Sequence, residues 1–175
     1  MSAFSNAQKP ELEKKGLNIQ SAIPVVEATT IPGAVVVSFG DGTVRFFRPG
    51  LAYTTVEAHV GVVLSMAADN DGVLTGGDDG RFLRIAQDGT TEEICKFDSK
   101  WVDCVASSKD FFACSSGKAA YVWTKGRTEP IRLEHPSTIG GLAFDAKGRR
   151  FAVAHYGGVT TVSYTHLTLP TSSQV

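Results

Sequence analysis

The sequence predicts an all-β fold of about four units, each a four-stranded antiparallel meander, and two features in step along the chain carry that reading. The 175 residues repeat with a period of about forty, a length that marks one small supersecondary unit copied around an axis. The first feature is a set of tight turns: Phe39-Gly40-Asp41-Gly42-Thr43-Val44, Gly77-Asp78-Asp79-Gly80-Arg81-Phe82, Ser116-Gly117-Lys118-Ala119 and Tyr156-Gly157-Gly158-Val159. Counted along the chain, Asp41, Asp79, Gly117 and Gly157 hold matching places. The second feature precedes three of these turns, an apolar residue, two spacers, an apolar residue and then Ala: Val63 to Met66-Ala67, Val102 to Val105-Ala106, and Ile139 to Leu142-Ala143.

Between the turns lie short runs rich in β-branched and aromatic residues, the local signature of strands. The first unit, roughly 23–57, holds Val35-Val36-Val37 and Val44-Arg45-Phe46-Phe47. The second, 62–97, reads as strands at 62–68, 73–76, 81–86 and 91–97, with Asp69-Asn70-Asp71-Gly72 and Asp78-Asp79-Gly80 as the turns. The third, 102–133, supplies strands near 102–107, 111–115, 119–124 and 129–133. The fourth, 139–164, supplies 139–144, 150–154 and 159–164. No helix of useful length is expected.

One meander cannot cover both faces of its own sheet, so its apolar residues must be buried against neighbouring copies, as radial repetition achieves in a β-propeller. The fold class is therefore a partial β-propeller of about four blades. The first strand of each blade is expected innermost, where Ala67, Ala68, Ala106, Gly140, Gly141 and Ala143 suit the crowding toward the axis. Trp123 and Phe144 suit the wider space between blades.

These residues resemble the WD-repeat propeller family, whose blade carries a His before the inner strand, an Asp in the turn between the second and third strands, and a Trp closing the third. His59 stands four residues before Val63 and His135 four before Ile139; the third repeat has Asp98 there. Six residues beyond the turn position come Phe47 after Asp41, Ile85 after Asp79, Trp123 after Gly117 and Ser163 after Gly157. The resemblance covers residues 19–164, with no repeat holding the full set. It implies that His59 and Asp79 hydrogen-bond across their blade, and that His59, Asp79, His135, Trp123 and Asp41 are structural repeat positions. It also implies a larger ring than four blades, so the chain is expected to be part of one. Residues 1–18 read as a polar tail. The tail 165–175 breaks the rhythm and resembles translated sequencing adapter, an artefact; the alternative is an ordinary terminal strand. Open blade edges then imply self-association.

Composition narrows the function. With 42% hydrophobic and 20% charged residues, a net charge of −1 and no basic stripe, the chain suits a globular protein and offers nucleic acid no counterion-release surface. The N-terminal stretch lacks the apolar middle of a secretory signal and no run suits a bilayer crossing, so the expected setting is cytoplasmic, away from membrane. Cys95, Cys104 and Cys114 lack metal-ligand spacing and read as buried thiols. Asp69-Asn70-Asp71-Gly72 lacks the rest of a calcium loop, Asp78-Asp79 sits in a turn that favours Asp locally, and no serine has nucleophile-elbow context. No catalytic, cofactor or metal residue is expected, and the protein is read as a non-enzyme.

The remaining expectation is a protein-interaction scaffold that holds proteins or peptides on the face made by the loops entering the inner strands. Lys100, Trp101 and Asp103 lie at one such loop, Val60 and Val62 at another, Pro136 and Thr138 at a third. Trp101 is the first candidate anchor, against the alternative that its ring packs between blades. Competing readings are an enzyme or small-molecule binder with its site in the central channel, and a structural subunit of a larger complex.

Overall fold

The computed structural model describes residues 19–50, 53–70, 72–98 and 100–163. The tails 1–18 and 165–175 lie outside those residues, as does Asp71 in the turn read from the sequence. Fifteen strands form four separate antiparallel sheets in chain order. Blade 1 is β1 (Val25–Ile31), β2 (Ala34–Phe39), β3 (Thr43–Phe47) and β4 (Tyr53–Glu57). Blade 2 is β5 (Val63–Asp69), β6 (Gly72–Gly77), β7 (Arg81–Ile85) and β8 (Thr91–Lys96). Blade 3 is β9 (Cys104–Ser107), β10 (Phe111–Ser116), β11 (Ala119–Thr124) and β12 (Ile131–Glu134). The described part of blade 4 is three-stranded, β13 (Ile139–Phe144), β14 (Arg150–His155) and β15 (Gly158–Ser163). No helix of the described residues is long and apolar enough to cross a membrane.

The first strands β1, β5, β9 and β13 are packed in sequence against one another, which makes them the inner strands, as the small residues predicted. The ring is not closed, and Ala68, Gly140 and Ala143 are accordingly exposed. Polar groups cross between inner strands: the Met66 amide donates to Glu27 Oε2 at 2.8 Å and the Val105 amide to Ser65 Oγ at 3.2 Å.

Because side chains alternate along a strand, each blade has a leading face toward the next blade and a trailing face toward the one before. Val36, Val44 and Phe46 on the leading face of blade 1 pack with Val73, Leu83 and Ile85 on the trailing face of blade 2. Leu74 and Phe82 of blade 2 pack with Phe112, Cys114 and Trp123 of blade 3. Ala113, Ala120 and Val122 of blade 3 pack with Phe151 and Val153 of blade 4. These three joints are the core of the molecule. Trp123 is 3% exposed, stacks on Phe112 at 5.5 Å and donates its Nε1–H to the Thr128 carbonyl at 3.1 Å. Phe144 belongs to the third joint, against Phe151 at a centroid distance of 4.7 Å.

Register corrects one equivalence counted from the sequence. Val35 lies opposite Phe47, Val73 opposite Ile85, Phe112 opposite Trp123 and Phe151 opposite Val162. The closing position of blade 4 is therefore Val162 and not Ser163, and Tyr156 and not Gly157 matches Asp79. The reason is position within the turn: Gly157 is the second of the two residues that join β14 to β15, whereas Gly117 is the first of the two that join β10 to β11.

Removing the Trp123 ring by Trp123→Ala leaves a cavity in the second joint and is expected to destabilise the protein by about 3–5 kcal/mol. Urea unfolding followed by circular dichroism measures it; a loss below about 1 kcal/mol would place the ring outside the core.

Candidate functional site

One end of the blade stack is built by the turns between second and third strands and by the loops that enter the inner strands. Backbone hydrogen bonds dock each loop on the turn of the preceding blade. The Gly42 carbonyl accepts from the amides of Ala58 and His59, both at 3.1 Å, and the Gly80 carbonyl accepts from Phe97 at 2.9 Å. The Ile139 amide donates to Gly117 at 3.0 Å and that of His135 to Lys118 at 2.9 Å. Gly42 and Gly80 have φ of +83° and +78°, and a Cβ on either would stand 2.3 Å from the His59 carbonyl oxygen or 2.2 Å from that of Phe97. Only glycine permits this backbone form together with so close an approach.

His59 anchors the loop into blade 2. Its Nδ1 is 2.9 Å from Asp79 Oδ1 and its Nε2 is 3.0 Å from Thr75 Oγ1. The predicted His59–Asp79 contact is therefore present; Thr75 was not foreseen, since its place beside the ring depends on strand register. Burial holds the imidazole below its usual pKa, against the pull of the Asp79 carboxylate. The ring is thus neutral near neutral pH: Nδ1–H donates to Asp79, and Nε2 accepts from the Thr75 hydroxyl. Burial acts to raise the Asp79 pKa, but hydrogen bonds from His59 and from the amides of Arg81 and Val60 outweigh it and hold the carboxyl below its usual range. Asp78 Oδ1 accepts from the Val62 amide at 2.9 Å, so this acidic pair is committed to backbone.

The other repeat positions differ in chemistry. Asp41 is exposed and caps its own turn, accepting from the Thr43 amide at 3.0 Å and the Thr43 hydroxyl at 2.7 Å. His135 is buried, with Nε2 lacking a hydrogen-bond partner. Register gives the reason: its counterparts of Asp79 and Thr75 are Tyr156 and Val153. Burial and then the nearby His155, its ring 5.5 Å away, lower the His135 pKa.

Three large apolar side chains stand exposed on this end: Val60 at 91%, Trp101 at 60% and Tyr156 at 89%. Trp101 does not pack between blades; Trp123 fills that space. Lys100 is exposed beside Trp101 and Asp103 is half-buried, its carboxyl pKa raised by that burial. Val62 is half-buried, and Pro136 and Thr138 are exposed. The candidate rim residues thus lie on one end, in loops set by the docking bonds.

At the opposite end the last residue of β5, read from the sequence as part of a turn, is a buried bridge. Asp69 meets Arg84 Nε at 3.1 Å in its own blade, and Lys125 Nζ at 2.6 Å and Ser107 Oγ at 2.5 Å from blade 3. Arg84 also covers the Phe112 ring at 4.7 Å. Burial acts to raise the Asp69 pKa, but hydrogen bonds from Lys125 and Ser107 outweigh it. The cleft above this bridge, about 660 Å³, is lined by Glu92, Trp123 and Arg127 among others. In it Arg84 pairs with Asp69 and Glu92, and Lys125 pairs with Asp69 across the joint, a tie between blades. Among the described residues, no three His, Cys, Asp or Glu side chains gather as a metal would need.

No protein-family model matches the chain, and no curated protein does. Solved structures do. The computationally designed protein Ika4 matches with a TM-score of 0.69 at 18% identity, over 82% of this chain and 93% of that one. The β-propeller domain of Cps50 (Swd1) from Myceliophteria thermophila matches with a TM-score of 0.65 at 14% identity, over 81% of this chain. The chain spans 54% of the length of that domain's chain. At these identities the likeness shows the fold, a β-propeller whose ring the described blades leave open.

Loss of the pairing partner should cost more than loss of an exposed turn cap. Asp79→Ala strands the buried His59 and two amides and is expected to destabilise by about 2–3 kcal/mol, against about 0.5–1 for Asp41→Ala. The pH dependence has a definite sign. Neutral His59 and His135 have folded pKa values below the unfolded value of 6.5, so the unfolded chain binds more protons as pH falls. Stability is expected to be level from pH 8 to 7 and to fall below pH 6.5; urea midpoints measure it, and a rise on acidification to pH 5.5 would contradict the neutral rings.

Proposed function

We propose that this protein is a non-catalytic interaction scaffold of the WD-repeat type, binding proteins or peptides on the end that carries the docked loops. The observation that carries the reading is the exposure of Val60, Trp101 and Tyr156 on that one end. The fold leaves most of the surface of these side chains in solvent, while the backbone beneath them is held by glycine turns and by the His59–Asp79 pair. Rigid apolar groups on a preorganised frame lose little freedom on binding, and tryptophan is the side chain most enriched among binding hot spots. Lys100 and Asp103 beside Trp101 supply opposite charges that orient a partner. The family assignment rests on the rhythm of His59, Asp79, His135 and Trp123. The same reading sets the protein in the cytoplasm, in keeping with three free cysteines.

Affinity capture with the full chain tests this. Trp101→Ala is expected to weaken partner binding at least tenfold while leaving the melting temperature unchanged, because the ring is exposed. A lowered melting temperature with undiminished capture would remove Trp101 from the interface. Capture unaffected by Trp101→Ala, Val60→Asp and Tyr156→Ala alike would remove the face.

A further inference from the structure

Each joint inside the molecule joins a leading face to a trailing face, and two such faces are left over. Among the described residues, no other blade packs on the trailing face of blade 1, whose groove is edged by Ile19 and Ser21, or on the leading face of blade 4. Register defines both. The trailing pairs Val73 with Ile85, Phe112 with Trp123 and Phe151 with Val162 correspond on blade 1 to Val35 with Phe47, joined by Val37 with Arg45. Tyr53 stands opposite Phe47, ring centroids 5.3 Å apart, and Phe39 lies under Arg45 at 4.2 Å. A groove of about 260 Å³ runs along this face.

The leading pairs of blade 3 are Ala113 with Val122 and Ser115 with Ala120. On blade 4 the corresponding pairs are Ala152 with Thr161 and Ala154 with Val159. The two sets have nearly the same size and polarity. The first set is covered by the large residues Phe151, Val153 and Phe144 of the next blade. The free leading face therefore has the small-residue form that accepts a large trailing face, and the free trailing face of blade 1 is large. Arg45 Nε is buried on that trailing face with no hydrogen-bond partner, and the Thr161 hydroxyl on the free leading face is an acceptor of the kind it lacks.

We infer that the leading face of blade 4 seats the trailing face of blade 1 of a second copy of this chain, repeating head to tail the joint made three times within it. Such a joint is heterologous: each copy contributes a different face, and two copies that use both faces close on themselves when the rotation per copy is half a turn. The occupant is a second copy because both halves of the missing joint are present on this one chain and continue its own interfaces.

A heterologous joint has a signature that an isologous one lacks. Val35→Glu charges only the trailing face and Ala154→Glu only the leading face; both residues are exposed in the single copy, so folding is spared, and circular dichroism checks it. Tyr53→Glu and Val159→Glu, 52% and 67% exposed on the same two faces, form a second pair should either variant fail to fold. Sedimentation equilibrium should give the 18.6 kDa chain a mass of two copies, and each variant alone the mass of one. An equimolar mixture of the two variants should recover association, because one keeps a free leading face and the other a free trailing face. A monomeric parent chain, a variant that associates as the parent does, or a mixture that stays monomeric would each overturn the joint.

Discussion

A meander of four short strands has two apolar faces and can shelter neither alone, and every other feature of this molecule answers that constraint. Burying a large aliphatic or aromatic side chain stabilises by about 1.5–3 kcal/mol, a gain realised only where a second sheet arrives. Here it arrives three times, by the same operation. Phe46, Phe82 and Phe151, one ring from each of three blades, are all fully buried. The polar devices follow from the same joint: Glu27 and Ser65 cross between inner strands, Asp69 ties blade 2 to blade 3 at one end, and glycine turns receive the loops at the other.

Fixing the sheets this way leaves the loops free to carry chemistry of their own. The turn carbonyls of Gly42 and Gly80 and the neutral His59 between Asp79 and Thr75 hold the backbone, so that Val60 and Trp101 are displayed on it. The end with the Asp69 bridge is different in kind. Lys125 reaches Asp69 across the joint, and a carboxylate already satisfied by Lys125, Ser107 and Arg84 has little left to offer a ligand. Stability and display are thus divided between the two ends of the stack.

Much of this was legible in the residues. Strands of blades 2 and 3 fall within two residues of where turn chemistry and β-branched runs set them, because alternating burial and Gly or Asp turns are local signals. The His59–Asp79 contact was legible through the family resemblance of the repeats. What escaped depends on contacts far apart in sequence. Asp69 was read as a turn residue since nothing local shows that Ser107, 38 positions away, stands beside it. Thr75 entered the His59 network through register, and register likewise set the closing position of blade 4 at Val162 rather than Ser163. The separate fates of two tryptophans, Trp123 in the core and Trp101 in solvent, were only half visible, because strand position implies burial while a loop position does not.

The most direct measurement of the central claim, that apolar packing between successive blades holds the molecule together, is a double-mutant cycle across the second joint. Phe82 of blade 2 and Phe112 of blade 3 have ring centroids 6.1 Å apart. Unfolding free energies of Phe82→Leu, Phe112→Leu and the double variant should show a coupling of about 0.5–1.5 kcal/mol. Effects that add to within about 0.3 kcal/mol would mean that the two blades stand without leaning on each other, and would contradict the account.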